Sequence, residues 1–238
     1  MANDIATSHW EEVNIITKGG NYGHPLREGH EELILQPNAM TGSRLNPPRP
    51  FPERDFLFVE GLQDPVKPLY PVALYSHLDG TAIGSGYVYR GKLMPQLRGK
   101  FVFTEISASR IFYADLAEML AAGGKHNQFA AIHEMQVLYK KSADAAPQKL
   151  RMFDLVAESW AKKGGKSDTG AVLPGNSNVT TRPKADPEGI PYGGGRGDIR
   201  IAVDPDGEFY VMSKADGMIR KVVATSLPAP SSRTRAAQ

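Results

Sequence analysis

The sequence predicts an all-β protein of antiparallel meanders joined by long loops, and three observations predict it. Short runs rich in β-branched or aromatic residues recur along the chain, each bounded by Gly, Pro, Asp or Asn. Two of these runs flank Asp204-Pro205-Asp206-Gly207, whose Asp-Gly pair has hairpin-turn chemistry. Sustained 3.6-residue periodicity is confined to 114–122 and 149–163, where one short helix each is expected.

In chain order, the first strand is expected at 13–16, Val-Asn-Ile-Ile, and it runs into Gly19-Gly20-Asn21 and then Pro25. Glycine permits positive φ, Asn tolerates it and Pro cannot continue a ladder, so the chain reverses there. The next strands are 86–89, closed by Gly91, and 100–106, opened by Gly99. Residues 111–114 and 135–139 follow, then the hairpin arms 199–203 and 208–213, and last 218–223 after Gly217. Three segments read as irregular. Residues 28–71 contain Asn46-Pro47-Pro48-Arg49-Pro50-Phe51-Pro52, which cannot join a central strand; 162–195 is rich in Gly, Pro, Lys and Ser; and 226–238 reads as a loose tail.

With 238 residues, 41% hydrophobic and 23% charged, the chain can bury one sizeable core or two small ones. Its net charge of +2 and the lack of a basic run interleaved with aromatics give no support to nucleic-acid binding. Without cysteine there is no disulfide framework, thiol nucleophile or thiolate metal site. Met1-Ala2-Asn3-Asp4-Ile5 has neither a basic n-region nor an apolar h-region, so no signal peptide is expected. Nor does any stretch approach the about 18 apolar residues of a membrane span.

Three blocks in order carry a resemblance. The first is Glu11-Glu12-Val13-Asn14-Ile15-Ile16-Thr17-Lys18-Gly19-Gly20-Asn21-Tyr22-Gly23-His24-Pro25. The second joins Gly84-Ser85-Gly86-Tyr87-Val88-Tyr89-Arg90-Gly91, Pro95-Gln96-Leu97-Arg98-Gly99-Lys100-Phe101-Val102-Phe103 and Ser109-Arg110-Ile111-Phe112. The third runs from Arg196-Gly197-Asp198-Ile199-Arg200 through Asp204-Pro205-Asp206-Gly207-Glu208-Phe209-Tyr210-Val211. Together they resemble the soluble pyrroloquinoline quinone (PQQ)-dependent sugar dehydrogenases, the glucose/sorbosone dehydrogenase family.

The resemblance implies a partial six-bladed β-propeller. With roughly 40 to 50 residues in each blade, a full ring exceeds this length, and the blocks correspond to the C-terminal blades. Residues 1–225 are then the C-terminal part of the propeller, with insertions at 28–71 and 162–195, and 226–238 is the tail. It implies an oxidoreductase that, when complete, oxidises a sugar hydroxyl and passes electrons to an external acceptor. The family is usually exported to the periplasm or secreted. Its catalytic His-Asp and Arg-Asn pairs lie upstream of the first block and are absent here, so the catalytic residues of this chain are unassigned. An open ring would also expose blade edges, from which self-association is expected.

In that family PQQ pairs with cations, and a calcium ion bridges the quinone and backbone carbonyls. Carried over, the calcium-bearing loop falls at 4–12, with backbone oxygens of Ile5, Ala6 and Thr7 as the candidate ligands, although the glycine-rich wording of relatives is missing. Arg196 and Arg200 correspond to the cofactor-facing arginine segment, with Thr81 beside the quinone, and alternation on a strand turns only one of the two arginines inward. Ser107 and Lys214 stand where the family has a quinone-contacting lysine and a late acidic residue. Tyr75, His77 and Asp79, in the loop before the Tyr87 strand, correspond to the substrate wall; His77 is a candidate proton carrier or sugar contact. Its plain alternative is a surface turn histidine. Glu11 and Glu12 are adjacent, so they face opposite sides of a strand and form no acid/base pair. Arg196-Gly197-Asp198 and Asn178-Val179-Thr180 match an adhesion tripeptide and a glycosylation sequon by letters only. Two other classes fit a propeller with a central cation: a calcium-dependent lactonase-type hydrolase and a scaffold without catalysis.

Overall fold

A computed structural model describes residues 1–6, 9–35, 42–44, 47–48, 50–51, 56, 61–140, 142, 144–163 and 197–227. Among the described residues the secondary structure is mostly β-strand, with two short α-helices, and the chain divides into two compact units. Unit 1 comprises Met1–Asp79 and Ala117–Ala130; unit 2 comprises Gly80–Leu116 and Ala131–Gln238. Among the described residues no helix is long and apolar enough to cross a membrane.

Unit 1 carries β1 (Ala2–Asp4), β2 (Trp10–Asn14), β3 (Arg27–Glu28), β4 (Glu31–Leu35), β5 (Gly42–Arg44) and β6 (Ala73–Ser76). One antiparallel sheet has the order β1-β2-β6 and the other β3-β4-β5. Being central, β2 is buried on both faces: Val13 packs in the core, and so do Glu11, Glu12 and Asn14. The second sheet corrects, for 28, 31–35 and 42–44, the expectation that 28–71 is irregular. Its strands are short and rich in charge, so neither periodicity nor β-propensity marks them. The segment 117–130 completes this unit from far along the sequence. Tyr70 donates its N–H to the Gly124 carbonyl (3.0 Å), and Ala130 donates to Val72 (2.8 Å).

Unit 2 contains β7 (Ile83–Val88), β8 (Lys100–Glu105) and β9 (Arg110–Asp115), and α1 (Leu116–Ala122) then leads the chain into unit 1. After the return come β10 (Ile132–Glu134), β11 (Gln136–Tyr139), β12 (Gln148–Leu150), α2 (Met152–Lys162), β13 (Ile199–Val203), β14 (Phe209–Ser213), β15 (Met218–Lys221) and β16 (Thr225–Ser226). Its sheets have the orders β10-β9-β8-β7, β13-β14-β15 and β12-β11-β16. Alternation assigns the faces. Val102, Ile111 and Tyr113 join Ile199, Ile201, Phe209, Val211 and the α2 residues Met152 and Val156 in one apolar core. Phe101 and Phe103 point the other way and stack at 5.7 Å, with Phe112 5.6 Å from Phe103.

A register shift between Ile83 and Gly86 re-aims β7. There Ser85 Oγ accepts the Ile201 N–H and donates to the Ile201 carbonyl, both at 3.0 Å, joining β7 to β13. Gly86 must be glycine, because a Cβ would lie 2.5 Å from the Phe101 ring. In the β13–β14 turn, Asp204 Oδ1 accepts the Asp206 and Glu208 N–H groups at 3.0 and 2.9 Å, and Gly207 supplies φ 82°.

Glu105, fully buried at the end of β8, receives N–H groups from Thr81 (2.9 Å), Ala82 (3.1 Å) and Ala108. Burial raises its pKa above 4.5 despite these donors. A carboxyl with a raised folded-state pKa contributes stability that is fully present below its unfolded value and lost as pH rises through the folded one. Wild-type protein is therefore expected to lose stability relative to Glu105→Gln as pH climbs from 4.5 towards neutrality, by at most about 1.4 kcal/mol per pH unit. Urea midpoints at pH 4 to 7 check this; a pH-independent difference between the two proteins would refute it.

Candidate functional site

The candidate site grows from the pairing of β2 with β6. Register sets Glu11 opposite Tyr75 and Trp10 opposite Ser76, and the ladder continues one step further, with the His77 N–H donating to the His9 carbonyl at 2.7 Å. Tyr75 thus lies buried within a strand, which corrects its expected place in a loop: β2 supplies the ladder partner that the local sequence does not advertise. His77 follows directly on the same face. Its Nε2 lies 2.7 Å from Glu11 Oε1; the carboxylate side chain is fully buried and the imidazole 14% exposed. A buried acceptor on one ring nitrogen fixes the orientation of the imidazole. Such a pair can hold a hydroxyl or exchange a proton with one.

Aromatic rings pack beside it. His9 lies 6.5 Å from His77 and edge-on to Trp10 at 5.1 Å; Trp10 in turn meets His30 at 4.6 Å. The buried Glu28 on β3 accepts the Trp10 N–H at 2.9 Å and that of His9 as well, and so pins the start of β2.

On the opposite face of β2, Glu12 accepts the Gly29 N–H and the Asn14 side-chain amide, the latter at 3.1 Å. Burial pushes the Glu12 carboxyl upward, and the nearby Arg27 guanidinium offsets part of the shift. Arg27 is itself buried. It donates to the Tyr22 and Leu69 carbonyls, both at 2.6 Å, and to Gly29, with its guanidinium 4.3 Å from the Tyr70 ring centroid. Asp4 is raised by burial, opposed by His24 and reinforced by the charges of Glu11 and Glu28.

Asp79 is exposed in the turn after β6, its N–H donating to the Ser76 carbonyl at 2.8 Å. Thr81 belongs to unit 2 and donates its N–H to Glu105. Arg200, also in unit 2, stands exposed on β13 between the buried Ile199 and Ile201 and donates to the Ile199 carbonyl at 2.9 Å. Ile5 is exposed and Ala6 half-buried just past β1. Thr7, Arg196, most of 162–195 and the tail from 228 onward lie outside the described residues.

Calcium takes about six to eight oxygen ligands. Among the described residues no group of three or more His, Asp or Glu side chains could hold a metal ion. The described side chains therefore do not compose a calcium site. A carboxylate-bearing quinone requires cations, and Arg200 is an exposed guanidinium of that chemistry. Sequence reading missed Glu11 and Glu28. The one available signal was their charge within or beside short strands, but their partners lie 66 and 18 or 19 residues away.

No family model matches the chain, and no solved structure matches it. Over 118 residues the chain is 26% identical to the HIPL1 protein of Arabidopsis thaliana, an alignment spanning 47% of this chain and 14% of that protein.

Proposed function

We propose that this chain is the C-terminal portion of a propeller enzyme of the quinone-dependent sugar dehydrogenase type, acting outside the cytoplasm, and that unit 1 supplies a contact to a sugar hydroxyl. The observation that carries the reading is the Glu11–His77 pair, an imidazole 14% exposed and oriented by a fully buried carboxylate, at the positions resembling the substrate wall. The meander β7–β10, with β13–β15 tied to it through Ser85, accords with neighbouring blades of a ring. When bound, the quinone supplies the two-electron acceptor for oxidation of the hydroxyl. His77 holds that hydroxyl by a hydrogen bond, and Glu11 holds His77.

The test is dye reduction with a panel of aldoses, after incubation with PQQ and calcium. The protein joined to the blades that complete its ring is expected to reduce the dye in the presence of sugar, whereas the 238-residue chain alone is not. Robust turnover by the chain alone would refute its assignment as a portion of the enzyme. Calcium-dependent lactone cleavage by the complete protein, in place of dye reduction, would move it to the hydrolases.

A further inference from the structure

We propose that the open edge of β15 and the groove beside it dock an extended acidic peptide as a fourth strand of the β13-β14-β15 sheet. In the same unit the β7–β10 sheet has four strands, whereas the β13–β15 sheet stops at three. The chain leaves β15 and enters β16, which pairs with β11, so among the described residues nothing pairs with the outer side of β15. Edge strands are ordinarily blunted by charge, proline or a covering element. This edge instead exposes Met218, Val223 and above all Ile219, at 69%.

Alongside lies a groove of about 360 Å³ with Val137, Met152, Leu155 and Val222 among its lining, enough for two or three side chains of an added strand. Charge selects the occupant. Lys162, Arg220 and Lys221 line the groove against one carboxylate, Glu158. Their intramolecular partners are Glu158, Asp216 and Asp204, and in each pair the cation is the more exposed member: 58% against 30%, 16% against 0% and 39% against 18%. The solvent-facing charge is therefore positive. A strand with apolar residues on one face and Asp or Glu on the other satisfies both the groove and the rim, with main-chain hydrogen bonds along β15. A second copy fits less well, since pairing two β15 edges brings the Arg220 and Lys221 cations of both copies to one seam.

The experiment measures fluorescence anisotropy with a labelled eight-residue peptide of alternating valine and glutamate. Controls are the same peptide with prolines at its two central valines and one with lysine for glutamate. The acidic peptide is expected to bind, with both controls weaker by at least about tenfold. Lys162→Gln with Lys221→Gln is expected to weaken it severalfold with little movement of the thermal midpoint, since exposed ion pairs add little to stability, and bound peptide should protect β15 amides from hydrogen exchange. Equal binding of the proline or lysine peptide, unprotected β15 amides, or no binding by monomeric protein would overturn the proposal. So would a dimer that Ile219→Asp dissociates, which would place a second copy on this edge.

Discussion

Replacing Arg27 with methionine is expected to destabilise unit 1 by roughly 3 to 5 kcal/mol, the scale seen when one member of a buried charged network is removed. Three carbonyls, of Tyr22, Leu69 and Gly29, lose their donor, and the Tyr70 ring loses the cation beside it. Glu12 also loses the charge that offsets its desolvation. Arg27→Lys should fall between, because an ammonium lacks the planar fork that reaches carbonyls on two sides. The two tryptophans make the measurement local: Trp10 lies in unit 1 and Trp160 in unit 2. With Trp160→Phe as background, the urea transition reported by Trp10 should shift to lower concentration. An unmoved midpoint would mean that the Arg27 bonds add nothing over water.

His77→Ala in the ring-completed enzyme is expected to lower kcat/KM for the sugar by about a hundredfold to a thousandfold, and also to lower the thermal midpoint, because the buried Glu11 carboxylate loses the imidazole beside it. Only 14% of the imidazole is exposed, so truncation acts on the fold through Glu11 and on turnover through the hydroxyl that loses its partner. Glu11→Gln should cost less than His77→Ala, but still measurably. A carboxylate can only accept from the ring, while a glutamine amide can also donate to it and so permit the other tautomer. Steady-state dye reduction, paired with thermal midpoints, separates the two effects. Retention of wild-type kcat/KM by both folded variants would remove His77 from the site.

Much of unit 2 was legible in the sequence because its signals are local. The strand at 199–203 is found at Ile199–Val203, and Asp204 and Gly207 close the hairpin through bonds within a few residues. Both helices lie inside the windows set by periodicity. Unit 1 was less legible because it is held by polar groups from distant places. Arg27 reaches across 42 residues to Leu69, and Glu11 across 66 to His77. Adjacency correctly puts Glu11 and Glu12 on opposite faces, yet only the central position of β2 buries both. Strand register, not residue type, joins His77 to its carboxylate, and register is a tertiary fact.

The path of the chain has a consequence for synthesis on the ribosome. Unit 1 is begun by the first 79 residues, but its last segment, Ala117–Ala130, emerges only after β7, β8 and β9 have been made. At about 5 to 20 residues per second, that leaves an interval of roughly 3 to 10 s. Throughout it, the Tyr70 N–H and the Val72 carbonyl await Gly124 and Ala130. The nascent first unit must therefore wait, incomplete, while the first sheet of the second is already being translated. A premature stop anywhere before residue 130 would leave the first unit without the segment that closes it.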